Sequence, residues 1–170
     1  AKVNKAMIYY HFQSKDNLYL SVIRSFFESD KAPKPISEIG QSGYWEILQK
    51  TIRLFAENVQ KDSNEKSMLI CREMVSRGPV FQMMRDKYWI PSYEQIKFII
   101  EKGIESGEFK TLHNPYFITF TIISHLVFYN INEVTYKDSE LYPKLYPNDY
   151  SEKMEKYLTD ILKNLLNLEN

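Results

Sequence analysis

The sequence predicts an all-α protein. Apolar residues recur at the three- and four-residue spacing of a helix face along nearly the whole chain. Five glycines among 170 residues are too few for Gly-rich phosphate loops or for an architecture of tight β-turns. The periodic stretches are also punctuated as helices are, with Ser, Asn or Asp at their heads and Gly or Pro at their ends.

Taken in order, Asn4 is placed to cap a short helix over 5–12. Ser14 caps a longer one, whose Leu18, Val22, Ile23, Phe26 and Phe27 share a stripe. That helix should end near residue 29, because Lys31-Ala-Pro-Lys-Pro-Ile36 cannot continue it. Residues 30–43, with Pro33, Pro35, Gly40 and Gly43, read as the linker between a small N-terminal piece (1–30) and a larger helical body (44–170). In that body, 44–60 should be a helix burying Ile47, Leu48, Thr51, Ile52, Phe55 and Val59. Ser63 heads a helix to about residue 76, broken by Arg77-Gly78-Pro79. A shorter element carries Val80, Phe81, Met83 and Met84, and a helix kinked at Pro91 runs over 92–106 to a stop at Gly107. Asn114 with Pro115 at the first helical position opens a strongly apolar helix to about residue 134. Residues 137–149 read as a loop. Asp149 or Ser151 then caps a last helix with Met154, Tyr157, Leu158, Ile161, Leu162, Leu165 and Leu168 apolar.

Composition narrows the function classes. The 22 basic residues balance 22 acidic ones, which argues against a protein that coats nucleic acid along its whole surface but allows a local basic patch. A single cysteine, Cys71, excludes an internal disulfide framework and fits a reducing compartment. The longest apolar stretch is interrupted by His125 and several hydroxyls, so no membrane span is expected, and the protein should be cytoplasmic. No His, Cys, Asp and Glu set has metal-ligand spacing, and neither a Ser/His/Asp order nor a carboxylate pair stands out. No enzyme, no cofactor and no metal are expected. His113 and His125 read as hydrogen-bonded or interfacial side chains rather than ligands, and Cys71 as a structural thiol.

The most informative segment is 3–18. A helix of the length of 5–12 has little stability of its own and must lean on neighbours, for which Val3, Ile8 and Phe12 serve. Its other side displays Asn4, Lys5, Tyr9, Tyr10 and His11, an unusual set of donors for so short a helix. Residues 1–15 hold Lys2, Lys5 and Lys15 and no acid. Lys15 falls in the first turn of the next helix, where free backbone N–H groups already favour an anion. It is a poor choice for helix stability and a good one if a phosphate docks there. The plainer alternative is an ordinary surface helix.

These residues carry a resemblance. Val3, a short polar turn, then Ile-Tyr-Tyr-His-Phe ending at Phe12 and Lys15 beyond it are similar to the signature of the TetR/AcrR family of transcriptional regulators. Ile104-Glu-Ser-Gly-Glu-Phe109 and Asn114-Pro115 also resemble the family's layout. The resemblance implies that Asn4, Lys5 and Ala6 form the front of a recognition helix facing base edges in the major groove. It implies that Tyr9 and Tyr10 contact backbone phosphates or bases, that His11 links helices or reaches a phosphate, and that Lys15 binds a phosphate. The family's first helix and most of its second would then precede Ala1, and the helix-turn-helix domain is incomplete here, so this chain alone should bind an operator poorly.

The resemblance also implies that the C-terminal body binds a ligand and forms a dimer. Phe55, Met68, Met74, Phe81, Met84, Tyr88, Trp89, Tyr93, Phe117 and Phe120 are candidates to line a pocket for a small lipophilic effector, since soft Met and flat aromatic side chains suit a permissive cavity. Plain core packing is the competing reading for most of them. The last two long helices would pair with their twofold mates into a homodimer. The expected function is a ligand-responsive regulator, a repressor released from double-stranded operator DNA. The alternative is a helical lipid- or small-molecule-binding protein, or enzyme, with no DNA role.

Overall fold

A computed structural model describes residues 5–27, 43–60 and 64–168; within these stretches it contains helices, turns and connecting segments and no strand. The chain divides into two compact units, Ala1–Lys34 and Pro35–Asn170.

The first unit contains α1 (Lys5–Phe12) and α2 (Lys15–Phe27), packed on each other. The corner between them is made by Gln13, whose φ of 62° is in the left-handed region. Ser14 then does what its position predicted: its Oγ accepts the Asn17 N–H at 3.0 Å, satisfying one of the orphan donors at the start of α2. Ile23 is fully buried and Leu18 half-buried, whereas Val22, expected on the same stripe, is exposed. Asn4, and the side chains of Lys5, Phe26 and Phe27, lie outside the described residues, as does most of the expected linker.

In the second unit, α3 (Tyr44–Gln60), α6 (Ile90–Glu105), α7 (Pro115–Tyr136) and α9 (Tyr150–Leu165) enclose one core. α3 packs against α6, α7 and α9, and α7 also covers α4 (Asn64–Ser76). The core is aliphatic: Ile47, Leu48 and Ile52 of α3, Ile96, Ile99 and Ile100 of α6, Ile118, Ile122 and Leu126 of α7, and Met154, Leu158 and Leu162 of α9. Each fully buried Ile or Leu contributes about 1.5–3 kcal/mol. Thr51, expected inside, is half-buried and returns its hydroxyl to the Ile47 carbonyl, while the side chains of Phe55 and Val59 lie outside the described residues.

The kink expected at Pro91 takes a different form. α5 (Pro79–Met84) leads into a π-helical turn, Arg85–Trp89, and α6 follows directly with Pro91 in its first turn. Proline lacks an N–H and its ring collides with the carbonyl four residues back, so a local widening of the register lets the helix pass through. α6 ends one residue earlier than expected, and Gly107 follows at φ +80°, a backbone conformation that glycine adopts without steric cost.

Beyond Gly107 the chain folds back so that the Phe109 ring lies on Gly103, where a Cβ would stand 2.2 Å from it. The Phe109 N–H donates to the Gly103 carbonyl at 2.9 Å. Glu108 reaches across to the start of α3, its two carboxylate oxygens accepting the Tyr44 and Trp45 N–H groups at 2.7 and 2.9 Å. Lys110 closes the arrangement by donating its N–H to the Leu166 carbonyl. Asn114 caps α7 as expected, its Oδ1 accepting the Tyr116 N–H at 2.9 Å.

Residues 137–149 are more than a loop. They contain the short α8 (Tyr142–Leu145), held to α7 and α9 by stacked tyrosines. The Tyr129 ring lies 4.7 Å from that of Tyr146 and 5.3 Å from that of Tyr150. The Tyr146 hydroxyl donates to the Tyr129 carbonyl, Tyr129 donates to the Leu145 carbonyl, and Tyr142 donates to Glu133 at 2.8 Å.

Candidate nucleic-acid interface and ligand cleft

The first unit offers the side chains that the sequence singled out. α1 turns Tyr9 and Tyr10 outward, 64% and 83% exposed, and Ala6 and His11 are exposed beside them. The His11 ring meets Tyr10 edge to face at 5.3 Å, which orients the imidazole within the aromatic surface. Large aromatic side chains left in water on so short a helix are costly to solvation and gain nothing for the fold.

The α1–α2 corner brings Lys15 back alongside Tyr9. The two share a shallow groove of about 300 Å³ with Ile8, Ser14 and Leu18. Its walls are mostly apolar, and Lys15 belongs to the helix end whose backbone dipole is positive. Tyr9, Tyr10, His11 and Lys15 thus fall on one compact pair of helices, with Ser14 fixing the corner that joins them. Asn4 and the Lys5 side chain lie outside the described residues.

The ten candidates for an effector pocket are distributed over the second unit. Met84 is fully buried, and Phe81, Tyr88, Trp89 and Tyr93 are half-buried. Phe81 and Trp89 meet edge to face at 5.6 Å, and Tyr93 stacks on Tyr116 at 6.0 Å. Met68 and Met74 are largely exposed on α4. Phe117 and Phe120 stand out from α7, 73% and 62% exposed, in line with Phe128 at 68%. The side chain of Phe55 lies outside the described residues. Met74 and Phe81 do come together, in a cleft of about 470 Å³ whose other lining residues are Arg77, Gln82 and Arg85. Sequence reasoning missed those three. Arg77-Gly78-Pro79 read only as a helix break, although two arginines eight positions apart, straddling a methionine- and phenylalanine-bearing turn, were there to be noticed.

Of the remaining groups, His125 bonds through Nδ1 to the Thr121 carbonyl at 2.8 Å and lies beside the Tyr157 ring. Burial pushes the Cys71 thiol up, away from reactivity. Among the described residues no group of three His, Cys, Asp or Glu side chains could hold a metal ion, and no helix is long and apolar enough to cross a membrane.

Among solved structures, crystal structures of a HlyIIR mutant protein are similar to this chain. One, with a segment substituted by a GSSGSSG linker, is 24% identical over 94% of this chain and 79% of that chain, at a TM-score of 0.64. Another, with a linker containing two thrombin sites, is 25% identical over 94% of this chain and 81% of that one, at 0.66. The fold is all-α and TetR-like. No family model matches the chain, and no curated protein matches it.

Proposed function

We propose that this chain belongs to a ligand-responsive, DNA-binding transcriptional regulator, a repressor that a small effector releases from its operator. The observation that carries this reading is the α1–α2 pair: Tyr9, Tyr10, His11 and Lys15 are all exposed on it, Lys15 at the N-terminal end of α2. Tyrosine hydroxyls, a histidine and a lysine at a helix start are the groups that grip a phosphate backbone, and Asn4, Lys5 and Ala6 are the residues assigned to base edges in this reading. The sequence resemblance to the TetR/AcrR family and the likeness in fold to HlyIIR support the same reading.

The regulator acts as a homodimer through α7 and α9, with the exposed ring stripe of Phe117, Phe120 and Phe128 as the self-complementary surface. Two recognition helices then read a pseudo-palindromic operator whose half-sites lie about 34–36 Å apart, or a multiple of that. The effector binds one dimer geometry more tightly than the other and shifts the population toward the one whose helices no longer fit successive grooves.

The test is fluorescence anisotropy of the intact protein on its own promoter DNA at two salt concentrations. Binding should be selective and weaken steeply with salt. Tyr9→Ala and Lys15→Ala should each reduce affinity, and Lys15→Ala should lower the salt slope by about 1. If neither substitution changes affinity, the assignment of this segment fails.

A further inference from the structure

We infer that the cleft at the α4–α5 corner is a receptor for a small organic carboxylate with an apolar body, its carboxylate held by Arg77 and its hydrocarbon by Phe81 and Met74. This deepens the ligand-responsive half of the regulator reading and rests on that reading for its consequence at the operator.

Chemistry at the cleft is two-sided. Phe81 supplies an aromatic wall, meeting the Trp89 ring edge to face at 5.6 Å, and Met74 adds an adaptable thioether to the lining. Arg77, Gln82 and Arg85 supply the polar side. The two guanidinium groups are not equivalent. Arg85 is already engaged by its neighbour Asp86, Nε to Oδ1 at 2.6 Å and a terminal nitrogen to Oδ2 at 3.0 Å. Among the described residues Arg77 makes no ion pair. Glu73, four positions back, is buried on α4, and its carbonyl accepts the Arg77 N–H at 3.1 Å. One uncompensated guanidinium beside an apolar wall selects a monoanion with a hydrocarbon body, and its planar fork matches a carboxylate. A volume of about 470 Å³ suits a small molecule rather than a peptide or a lipid surface.

The backbone adds to this. Arg77 sits at φ +50°, in the left-handed position after α4 that glycine or asparagine ordinarily fills, while Gly78 beside it is extended. The chain thus accepts backbone strain to place a long cation at the corner. Arg85 opens the π-helical turn, so a ligand touching both arginines joins the end of α4 to the place where the following helix changes register.

Calorimetric titration of the intact protein, without DNA, with naphthoate and with its neutral amide naphthamide tests the site. Naphthoate should bind about tenfold more tightly than the amide. Arg77→Asn, which keeps a residue suited to the left-handed backbone, should abolish that preference; Arg53→Gln, removing an arginine paired with Glu155 elsewhere, should leave it intact. Should Arg77→Asn lose helix content by circular dichroism, Arg77→Gln serves in its place. Equal affinity for acid and amide, no binding of naphthoate at millimolar concentration, or a preference that survives loss of Arg77 overturns the inference. Intact carboxylate preference with no operator binding would instead sink the regulator reading and leave the cleft standing.

Discussion

Gly103 shows how one residue ties two segments. It lies in the middle of α6, where alanine would be better by about 1 kcal/mol on propensity alone. Yet a Cβ there would stand 2.2 Å from two atoms of the Phe109 ring, which is itself buried. Overpacking of that kind costs about 1–3 kcal/mol, and the ring cannot retreat, because the Phe109 N–H is bound to the Gly103 carbonyl. The clash therefore outweighs the propensity gain. Gly103→Ala should lower the thermal midpoint by several degrees, read by circular dichroism, and an unchanged or raised midpoint would show that the ring is free to move. Glu108, five residues on, has the opposite character: an exposed-looking acid in the sequence, it supplies the N-terminal cap of α3 from 64 positions away. Neither role could be inferred locally. The periodic pattern located α6 and its stop, but which side chain lies on which glycine depends on how the chain returns after the turn.

At the scale of elements, the helices with strong apolar periodicity were legible, and those defined by partners were not. α3 has the ends that its sequence predicts, and Ser14 and Asn114 cap where expected. The π-helical turn was not legible, since a proline announces a disturbance and not its form. Nor was α8, whose four residues have no helical stability apart from the rings packed on them. Those rings make a testable pH response. The Glu133 carboxylate accepting the Tyr142 hydroxyl holds that phenol above the usual tyrosine range, and burial does the same for Tyr146 and Tyr129. The folded state thus favours the neutral phenols. Their contribution to stability is fully present below the ordinary tyrosine value of about 10 and is lost as pH rises through the raised folded values. A spectrophotometric titration should find some of the 13 tyrosines ionising late, together with loss of helix signal. Ionisation of every tyrosine near the ordinary value, with helicity intact, would refute it.

For the whole molecule, the face that α7 leaves in water bears on the proposed assembly. It is apolar nearly all round; Ile118, Ile122 and Leu126 enter the core, and Phe117, Phe120 and Phe128 are left in water. Exposed rings in one line are more than scattered surface hydrophobes, and a second copy is the partner that we propose for them. Phe120→Glu combined with Phe128→Glu should convert a dimer to a monomer in sedimentation equilibrium, leave helix content unchanged, and reduce operator affinity by the loss of paired half-site binding. A pair of glutamates that leaves the dimer intact would move the interface elsewhere.

By itself the sequence determined the all-α class, the positions of the long helices, the caps at Ser14 and Asn114, and the exposed Tyr9, Tyr10, His11 and Lys15 set. These follow from local physics: the spacing of apolar residues sets a helix and its buried face, and caps and breakers act within a turn. Only the tertiary structure decided which of the soft and aromatic side chains meet. It buried Met84, exposed Phe117 and Phe120, and gathered Met74, Arg77, Phe81, Gln82 and Arg85 around one cleft. The physical reason is that a helix pattern specifies which residues share a face, whereas a cleft is made where two elements diverge. Their divergence here is set by the left-handed turn at Arg77 and the widened register at Arg85–Trp89.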